Sequence, residues 1–421
     1  MKIKKIFLIF ILIIMSIPLA CFADDESFED SPQINNIIES IEVSSNDIFK
    51  EPNINARHAI IFDRNSKSML YGKKENEICK MASTTKIMTA IIVLENSKLD
   101  DVVTISKKSA GTGGSRLGLS ADDKITVNDL LYGLMMRSGN DAAVALAEHV
   151  AGNIQNFSLL MNTKAKQLKL LSTNFETPHG LDSDNHYTTA FDLARLADYA
   201  LQNEEFSKIV KTQNYTIVIN GYPKNISNTN ELLGNYEGIY GVKTGFTNGA
   251  NRCLVTSCKR GDLDVICVVL GCDTKKDRTR DSVKLLNYIF NNYCIINVQD
   301  LVLKKYEDWK LNHKNSFIIN KGYTQTIDSY LDINSIPFTK IAVKKTATQN
   351  ISIKIDFNSF IEAPILKDSE VGKLKFKIED YEYFSIKILN NTKIRRKNVF
   401  EYILYILKNY TFFFHNSLTW L

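Results

Sequence analysis

The chain has 421 residues, of which 44% are hydrophobic and 24% are charged, and its formal net charge is +5. This composition is ordinary for a globular protein, and the length predicts two or three domains. Three of the positive side chains, Lys2, Lys4 and Lys5, lie at the N-terminus, so the rest of the chain offers no electrostatic case for binding nucleic acid.

The N-terminus has the form of a secretory signal peptide over residues 1–23. Its lysines precede an apolar core from Ile6 to Ile17, and we expect cleavage after Ala23. Lipoprotein processing before Cys21 is the alternative, but Pro18 occupies the first position of that signal and makes it a poor one. Either route predicts a protein that works outside the cytoplasm.

A flexible leader and a β-hairpin are predicted next. Residues 24–53 are acidic and rich in Ser and Asn, which is typical of a flexible segment. Apolar runs at His58–Asp63 and Ser68–Tyr71, separated by a polar turn, predict the hairpin. The stretch Met81-Ala82-Ser83-Thr84-Thr85-Lys86 then opens an apolar run that predicts a buried helix.

Ser83 and Lys86 are three residues apart, so a helix places both on one face, with Ser83 at its N-terminal end. A serine hydroxyl is a weak nucleophile until a base takes its proton, and a lysine whose pKa is lowered by burial can be that base. Taken alone, the spacing favours a helix-capping serine with a lysine that reaches solvent, because capping is the usual role of such a serine.

Helical patterns occupy the chain between residues 126 and 202. A capping box at Thr126-x-x-Asp129 precedes the first helix, and a turn at Ser138-Gly139-Asn140 separates it from the second. The predicted helices are Leu130–Met136, Ala142–Val150, Phe157–Leu170 and Leu193–Gln202.

From about residue 215, short apolar and β-branched runs parted by Gly and Asn predict strands. Strands at both ends with helices between them indicate an α+β domain over residues 54–295. The predicted strands are Tyr215–Ile219, Tyr240–Lys243, Cys253–Ser257 and Val265–Leu270, and the closing helix is Asp281–Tyr293.

Residues 296–390 alternate apolar and polar residues without a helical pattern, which predicts a small all-β, sandwich-like domain. This domain carries no cluster of candidate catalytic groups, so we interpret it as a spacer or a partner-contact module.

The tail, residues 391–421, joins a basic flank to an apolar run that includes Phe412–Phe414. The run is short for a membrane span, and a span would place the basic flank on the outside. We therefore expect an amphipathic helix that lies on anionic lipid. The basic flank consists of Lys393, Arg395, Arg396 and Lys397.

Seven cysteines are present, and none of their spacings is that of a zinc site. Burial as small hydrophobic side chains is the favoured role, with one disulfide left open. The cysteines are Cys21, Cys79, Cys253, Cys258, Cys267, Cys272 and Cys294.

Two short motifs accompany Ser83 and Lys86. The turn Ser138-Gly139-Asn140 can point a hydroxyl and an amide into one cleft. Lys243-Thr244-Gly245 ends an apolar strand, where lysine and threonine can hold a carboxylate and glycine lets a peptide backbone approach closely. Each motif alone is also ordinary turn or strand-end chemistry.

As an ordered set, S-x-x-K, S-x-N and K-T-G resemble the penicillin-interacting serine enzymes. The match is closest to the low-molecular-mass penicillin-binding proteins, the secreted D-alanyl-D-alanine carboxypeptidases. The signal peptide, the all-β second domain and the tail agree with that family. So do the stretches Met81–Thr89, Thr177–Leu181, Asn228–Leu233 and Gly241–Thr247.

The resemblance implies a β-lactamase/transpeptidase-like α+β catalytic domain and an acyl-enzyme mechanism without metal or cofactor. Ser83 would attack the carbonyl of the penultimate D-alanine in the peptidoglycan stem peptide, with Lys86 as general base. Ser138 would pass a proton to the leaving amine. β-Lactam antibiotics would be covalent inhibitors, and the enzyme would work at the outer face of the cytoplasmic membrane.

The substrate-binding residues follow from the same resemblance. Asn140 would position the peptide, Lys243 and Thr244 would bind the terminal carboxylate, and Gly245 would let the substrate approach. The backbone N–H groups of the nucleophile and Phe246 would form the oxyanion hole.

Three alternatives remain. A β-lactamase has the same fold, but no E-x-x-L-N stretch follows Asn140, and S-G-N stands where S-D-N is typical of class A enzymes. A non-catalytic wall-binding protein with this fold would not need the intact triad. A zinc peptidase is disfavoured because His179 and His186 lack the spacing of a metal pair on one helix face, and His179 is interpreted as a structural turn residue.

Overall fold

The computed structural model describes residues 50–313, 318–324, 326–358 and 360–407. The predicted signal peptide, nearly all of the leader, Cys21 and Phe412–Phe414 lie outside these residues. The chain divides into two compact units, Met1–Asn291 and Asn292–Leu421.

The first unit is built on a five-stranded antiparallel sheet with the strand order β2-β1-β9-β8-β7. Its inner strands are buried on both faces, which explains why they read as continuous apolar runs. The predicted hairpin at residue 58 and the predicted late strands are confirmed, although the strands are longer than expected. They are β1 (His58–Asp63), β2 (Ser68–Lys73), β7 (Ile239–Thr247), β8 (Asn251–Arg260) and β9 (Leu263–Cys272).

Helices fill the chain between the two halves of the sheet, as the α+β prediction requires. The capping prediction at Thr126 is confirmed, because its side chain accepts a hydrogen bond from Asp129 N at 3.1 Å. The helices are α1 (Lys86–Asn96), α2 (Lys107–Ala110), α3 (Val127–Met136), α4 (Asn140–Ala151), α5 (Ile154–Gln167), α6 (Ala190–Ala200), α7 (Glu204–Val210) and α8 (Lys275–Asn292). Two small hairpins complete the unit, β3 (Val102–Thr104) with β4 (Lys124–Thr126) and β5 (Asn214–Ile219) with β6 (Tyr222–Ser227).

The second unit contains a helix, so the prediction that residues 296–390 form an all-β domain was wrong at its start. The helix is α9 (Val298–Asn312), and Asn297 caps it by accepting from Asp300 N at 3.2 Å. Its buried side chains, Val298, Val302 and Tyr306, recur only every fourth residue among charged neighbours. Such a thin apolar stripe is easily overlooked beside strand-like runs.

The rest of the second unit is mostly strands around one apolar core. A four-stranded sheet has the order β12-β17-β16-β14, and two strand pairs accompany it, β10 with β13 and β11 with β15. The strands are β10 (Tyr293–Asn297), β11 (Ile318–Asn320), β12 (Ser329–Leu331), β13 (Lys340–Lys344), β14 (Ile351–Phe357), β15 (Phe360–Glu362), β16 (Glu370–Ile378) and β17 (Tyr381–Asn390). Short 3₁₀ helices occur at Ile333–Ser335 and Lys345–Asn350.

The described part of the tail forms a helix over residues 399–407, here called the tail helix. Its large apolar side chains are exposed, with Phe400 at 79% and Leu404 at 66%. Among the described residues, no helix has both the length and the apolar character needed to cross a membrane.

The six cysteines of the described ranges are all free thiols. Four of them are fully buried, which confirms their interpretation as small core side chains. The buried four are Cys253, Cys258, Cys267 and Cys272.

Candidate active site

Ser83 lies in a 3₁₀ turn, Ala82–Thr85, that leads directly into α1. It does not cap the helix: neither helix start carries a side-chain cap, and the Ser83 Oγ instead lies 2.8 Å from the Nζ of Lys86. The i, i+3 spacing therefore brings the two groups together as predicted, whereas the helix-capping alternative is wrong.

Lys86 is completely buried rather than reaching solvent. Besides the Ser83 hydroxyl, its Nζ donates to Asn140 Oδ1 at 2.7 Å and to the His179 carbonyl oxygen at 2.8 Å. A neutral amine has two N–H bonds and one lone pair. In that deprotonated form, the two N–H bonds can serve the two carbonyl-type oxygens, and the lone pair can accept the Ser83 hydroxyl proton.

The Ser138-Gly139-Asn140 turn connects α3 to α4, with Ser138 in the left-handed region at φ = +60° and Asn140 as the first helical residue. Asn140 reaches Lys86 through its Oδ1 and donates from Nδ2 to Gly113 O at 2.8 Å. Ser138 is buried in the same turn, but its hydroxyl makes no hydrogen bond with any residue the structure describes. Asn140 thus belongs to the hydrogen-bonded cluster around Lys86. Ser138 is connected to that cluster only by the backbone of the turn.

Asp141 holds the neighbouring loop in place. Its carboxylate accepts hydrogen bonds from the consecutive backbone N–H groups of Leu117, Gly118 and Leu119 at 2.8, 2.8 and 3.0 Å. At the N-terminus of α4 this negative charge is also favoured by the helix dipole. The loop in turn supplies Gly113 O to the Asn140 side chain.

Lys243, Thr244 and Gly245 lie on β7, the edge strand of the sheet, beside the 3₁₀ turn that holds Ser83. Lys243 is 1% exposed, and its Nζ donates to Thr244 O at 2.8 Å. The closeness of the strand is clearest at Gly245, where a Cβ atom would stand 3.1 Å from Ser83 N. A side chain at this position would force β7 and the turn apart by a few tenths of an ångström, so glycine favours the close approach.

Phe246 follows on the same strand, opposite Arg252 of β8. The Arg252 guanidinium lies 3.8 Å from the centroid of the Phe246 ring. A cation–π contact of this kind fixes the ring.

Two histidines close to Lys86 are buried and neutral. His179 accepts a hydrogen bond from Leu181 N at its Nδ1, 3.2 Å away, in agreement with its interpretation as a turn residue. Burial and, secondarily, Lys86 lower the pKa of His179 to about 3. Burial likewise lowers the pKa of His186 to about 4, against the opposing effect of Glu176 and Asp182.

The structure brings to the site several residues for which the sequence predicted no role. Thr229 lies in the Asn228–Leu233 stretch, and its Oγ1 is 2.7 Å from Thr244 Oγ1. Gly180 lies in the Thr177–Leu181 stretch and packs against Ala82. Both stretches resemble the family, and that resemblance is the sequence signal that points to them. His186 gave no signal, because it lies 101 residues from its partner Thr85.

Among the described residues, no group of three or more His, Cys, Asp and Glu side chains is arranged to hold a metal ion. The positions predicted to act on a peptide, by contrast, converge on one cleft wall formed by the 3₁₀ turn, the α3–α4 turn and β7.

Two family models match the chain. The D-alanyl-D-alanine carboxypeptidase family matches residues 45–274, and the C-terminal domain of penicillin-binding protein 5 matches residues 334–396. The first match covers more than half of the chain and includes every predicted site residue.

Individual relatives agree with these models. The chain is 33% identical over 329 residues to D-alanyl-D-alanine carboxypeptidase DacF of Bacillus subtilis, covering 76% of this chain and 81% of the relative. It is 30% identical to DacA of Haemophilus influenzae, covering 81% and 86%.

Solved structures are similar as well. Penicillin-binding protein 5 from Haemophilus influenzae aligns with a TM-score of 0.65 at 26% identity, over 82% of this chain and 99% of that one. The Streptomyces K15 DD-transpeptidase aligns with a TM-score of 0.54 at 37% identity, over 57% and 98%.

Proposed function

The chain belongs to the D-alanyl-D-alanine carboxypeptidase family, and we propose that its activity is carried by Ser83 as nucleophile and Lys86 as general base. It is a serine-type D-alanyl-D-alanine carboxypeptidase, a hydrolase of the low-molecular-mass penicillin-binding class. The single observation that supports the residue assignment is the 2.8 Å contact between Ser83 Oγ and the buried Lys86 Nζ.

In the proposed acylation step, Lys86 takes the proton of Ser83 as the Oγ attacks the carbonyl carbon of the penultimate D-alanine. The negative charge on the carbonyl oxygen is held by the backbone N–H groups of Ser83 and Phe246. When the C–N bond breaks, Ser138 transfers a proton from Lys86 to the leaving amine, and free D-alanine departs. Water then attacks the ester carbonyl and gives up a proton to Lys86, the bond between the acyl carbon and Ser83 Oγ breaks, and Oγ regains its proton as the shortened peptide leaves.

Substrate binding is assigned to the turn before α4 and to β7. Asn140, which already holds Lys86 at 2.7 Å, positions the peptide, and Lys243 with Thr244 binds the terminal carboxylate. Lys243 Nζ lies 3.5 Å from Thr244 Oγ1, so an ammonium group and a hydroxyl group that can both donate to a carboxylate lie side by side. Gly245 leaves room for the substrate backbone beside Ser83 N.

The substrate and inhibitors follow from the family. The enzyme acts on peptidoglycan peptides and binds penicillin. A β-lactam presents its strained amide to the same serine, and opening of the ring leaves it attached to Ser83 as an ester. The alternatives of a β-lactamase and of a non-catalytic wall-binding protein are not favoured.

The family is an extracytoplasmic, cell-wall type of enzyme. We infer the finer arrangement from the sequence: a signal peptide (residues 1–23), a leader (24–53), a catalytic domain (54–295), a mainly β domain (296–390) and a membrane-associating tail (391–421). The exposed apolar side chains of the tail helix support contact with the outer face of the cytoplasmic membrane.

The test of the assignment is covalent labelling. Residues 24–392 are incubated with penicillin and followed by intact mass, with Ser83→Ala beside them. We expect one persistent adduct that is absent from Ser83→Ala, and D-alanine release from a stem-peptide mimic by the unsubstituted protein only. An adduct in Ser83→Ala would overturn the nucleophile assignment, and rapid clearance with hydrolysed drug would indicate a β-lactamase.

A further inference from the structure

The peptide group between Ala82 and Ser83 is held by a chain of two hydrogen bonds. Thr85 Oγ1 donates to Ala82 O at 2.8 Å and lies 2.8 Å from His186 Nε2. The other ring nitrogen of His186, Nδ1, accepts from Glu176 N at 3.0 Å. Nδ1 is therefore unprotonated, so Nε2 carries the ring proton and donates it to Thr85.

The surroundings restrict this peptide group further. Ala82 has φ = +49°, a left-handed conformation that alanine rarely adopts. Gly180 lies so close that a Cβ atom there would stand 2.6 Å from Thr85 Oγ1 and would collide with the Ala82 carbonyl. From β7, Gly245 approaches Ser83 N. The 3₁₀ turn Ala82–Thr85, here called the nucleophile turn, is thus held in place by the close approach of Gly180 and Gly245 and by the Thr85 hydroxyl.

A trans peptide group is planar, so its C=O and N–H bonds point in opposite directions. Holding the Ala82 carbonyl toward Thr85 therefore aims the Ser83 N–H away from Thr85. We propose that Thr85 and His186 are positioning residues that orient the Ser83 N–H for oxyanion binding. This inference rests on the proposed role of Ser83 as nucleophile.

The expected effect is on the rate of acylation rather than on binding, because the oxyanion exists only after attack. Removing one oxyanion-hole donor outright typically lowers the rate by about 10²–10³-fold. Thr85→Val keeps the shape of the side chain but frees the Ala82 carbonyl. We expect it to lower the acylation rate constant at saturating penicillin by roughly 10- to 100-fold, with little change in the half-saturating concentration.

Conservative variants separate positioning from folding. Thr85→Ser restores the hydroxyl and should recover the rate to within about 3-fold of the original, since a full donor loss costs far more. His186→Gln places a donor nitrogen near the Nε2 position, whereas His186→Asn cannot reach it. We expect the rate of His186→Gln to exceed that of His186→Asn.

The control is Thr256→Val. Thr256 is also fully buried and donates to a backbone carbonyl, Gly241 O, at 2.6 Å, but it does not contact the nucleophile turn. We expect it to keep the original acylation rate constant even if its unfolding temperature falls.

The experiment uses the full mature chain and measures two quantities, the acylation rate constant and the fraction of protein finally acylated. A lower rate constant with a full final fraction in Thr85→Val supports the proposal. An unchanged rate constant with a reduced fraction would overturn it, because it would show lost folding only. Equal slowing in Thr256→Val would overturn it too. If the unsubstituted protein forms no adduct, the proposed function itself has failed.

Discussion

Two uncharged histidines contact the segment Thr85–Lys86, and each is held by a backbone N–H that donates to its ring. His179 Nδ1 accepts from Leu181 N, and His186 Nδ1 accepts from Glu176 N. A protonated ring would present an N–H to each of these donors and lose the bond. Burial, and to a smaller extent Lys86, lower the pKa of His186, and together they outweigh Glu176 and Asp182, which raise it.

The buried histidines predict acid destabilisation at neutral-to-acid pH. The pKa of His186 is about 4 in the folded protein and about 6.5 in an unfolded chain, so below pH 6.5 the unfolded state binds the extra proton. The stabilisation is fully present above pH 6.5 and is lost as the pH falls toward 4. For each such histidine, the unfolding free energy should fall by about 1.4 kcal/mol for each unit by which the pH is lowered within that window.

Urea unfolding between pH 7 and pH 4.5 measures this slope. Glutamine cannot titrate, so the unfolding free energy of His186→Gln should depend less steeply on pH than that of the unsubstituted protein. The difference should correspond to about one bound proton. His149→Gln, at an exposed position, is the matched control. Identical slopes for His186→Gln and the unsubstituted protein would contradict the prediction.

At the scale of elements, the N-terminus of α4 organises one wall of the site. Asp141 binds three consecutive N–H groups of the loop at residues 117–119, and Asn140 binds both Lys86 and Gly113 of the same loop. Asn140 N also donates to Ser115 O at 2.8 Å. Helix and loop therefore form one hydrogen-bonded unit around Lys86.

Asp141→Asn should loosen that unit. The amide has one acceptor oxygen instead of two, so at least one of the loop N–H groups loses a charge-assisted bond. We expect the unfolding free energy to fall by about 1–3 kcal/mol and penicillin acylation to slow. Thermal unfolding and intact mass measure the two effects.

Asp123→Asn is the control for this prediction. Asp123 also accepts a loop N–H, from Ser120 at 2.7 Å, but it belongs to an exposed turn. It should leave the acylation rate unchanged. Acylation by Asp141→Asn at the original rate would show that the loop does not support the site.

How much could be predicted differs between elements for physical reasons. The contact between Ser83 and Lys86 could be predicted because residues three apart share one face of a helix. The K-T-G strand could be predicted from its apolar run. The helix α9 was missed because its stripe of Val298, Val302 and Tyr306 is narrow. The bond between Thr85 and His186 joins residues 101 apart and leaves no periodic trace.

At the scale of the whole molecule, the proposed catalytic residues and the proposed membrane-contact residues fall in different parts of the chain. The proposed catalytic residues all lie before Asn291, in the first unit. The second unit ends in the tail helix, which follows the basic residues Lys393, Arg395, Arg396 and Lys397. Arg395 pairs with Glu401 at 2.7 Å, which ties the start of the helix to the basic flank.

This arrangement predicts binding to anionic membranes. Burying the exposed Phe400 and Leu404 side chains in lipid favours association by about 1.5–3 kcal/mol each, and each basic residue near the surface adds about 1 kcal/mol. The mature full-length protein should therefore sediment with vesicles containing phosphatidylglycerol. Binding should weaken as salt is raised, because salt screens the basic flank.

Phe400→Asp combined with Leu404→Asp tests whether the tail helix is responsible. The two new carboxylates lie on the apolar side of the helix, and burying them in lipid is costly. We therefore expect the affinity for vesicles to fall at least about 10-fold. Leu171→Asp changes an equally apolar side chain, 88% exposed, in the first unit, and it should bind like the original. Penicillin acylation in the absence of vesicles should be the same in all three proteins. Undiminished sedimentation of the doubly substituted protein would place membrane contact elsewhere in the chain.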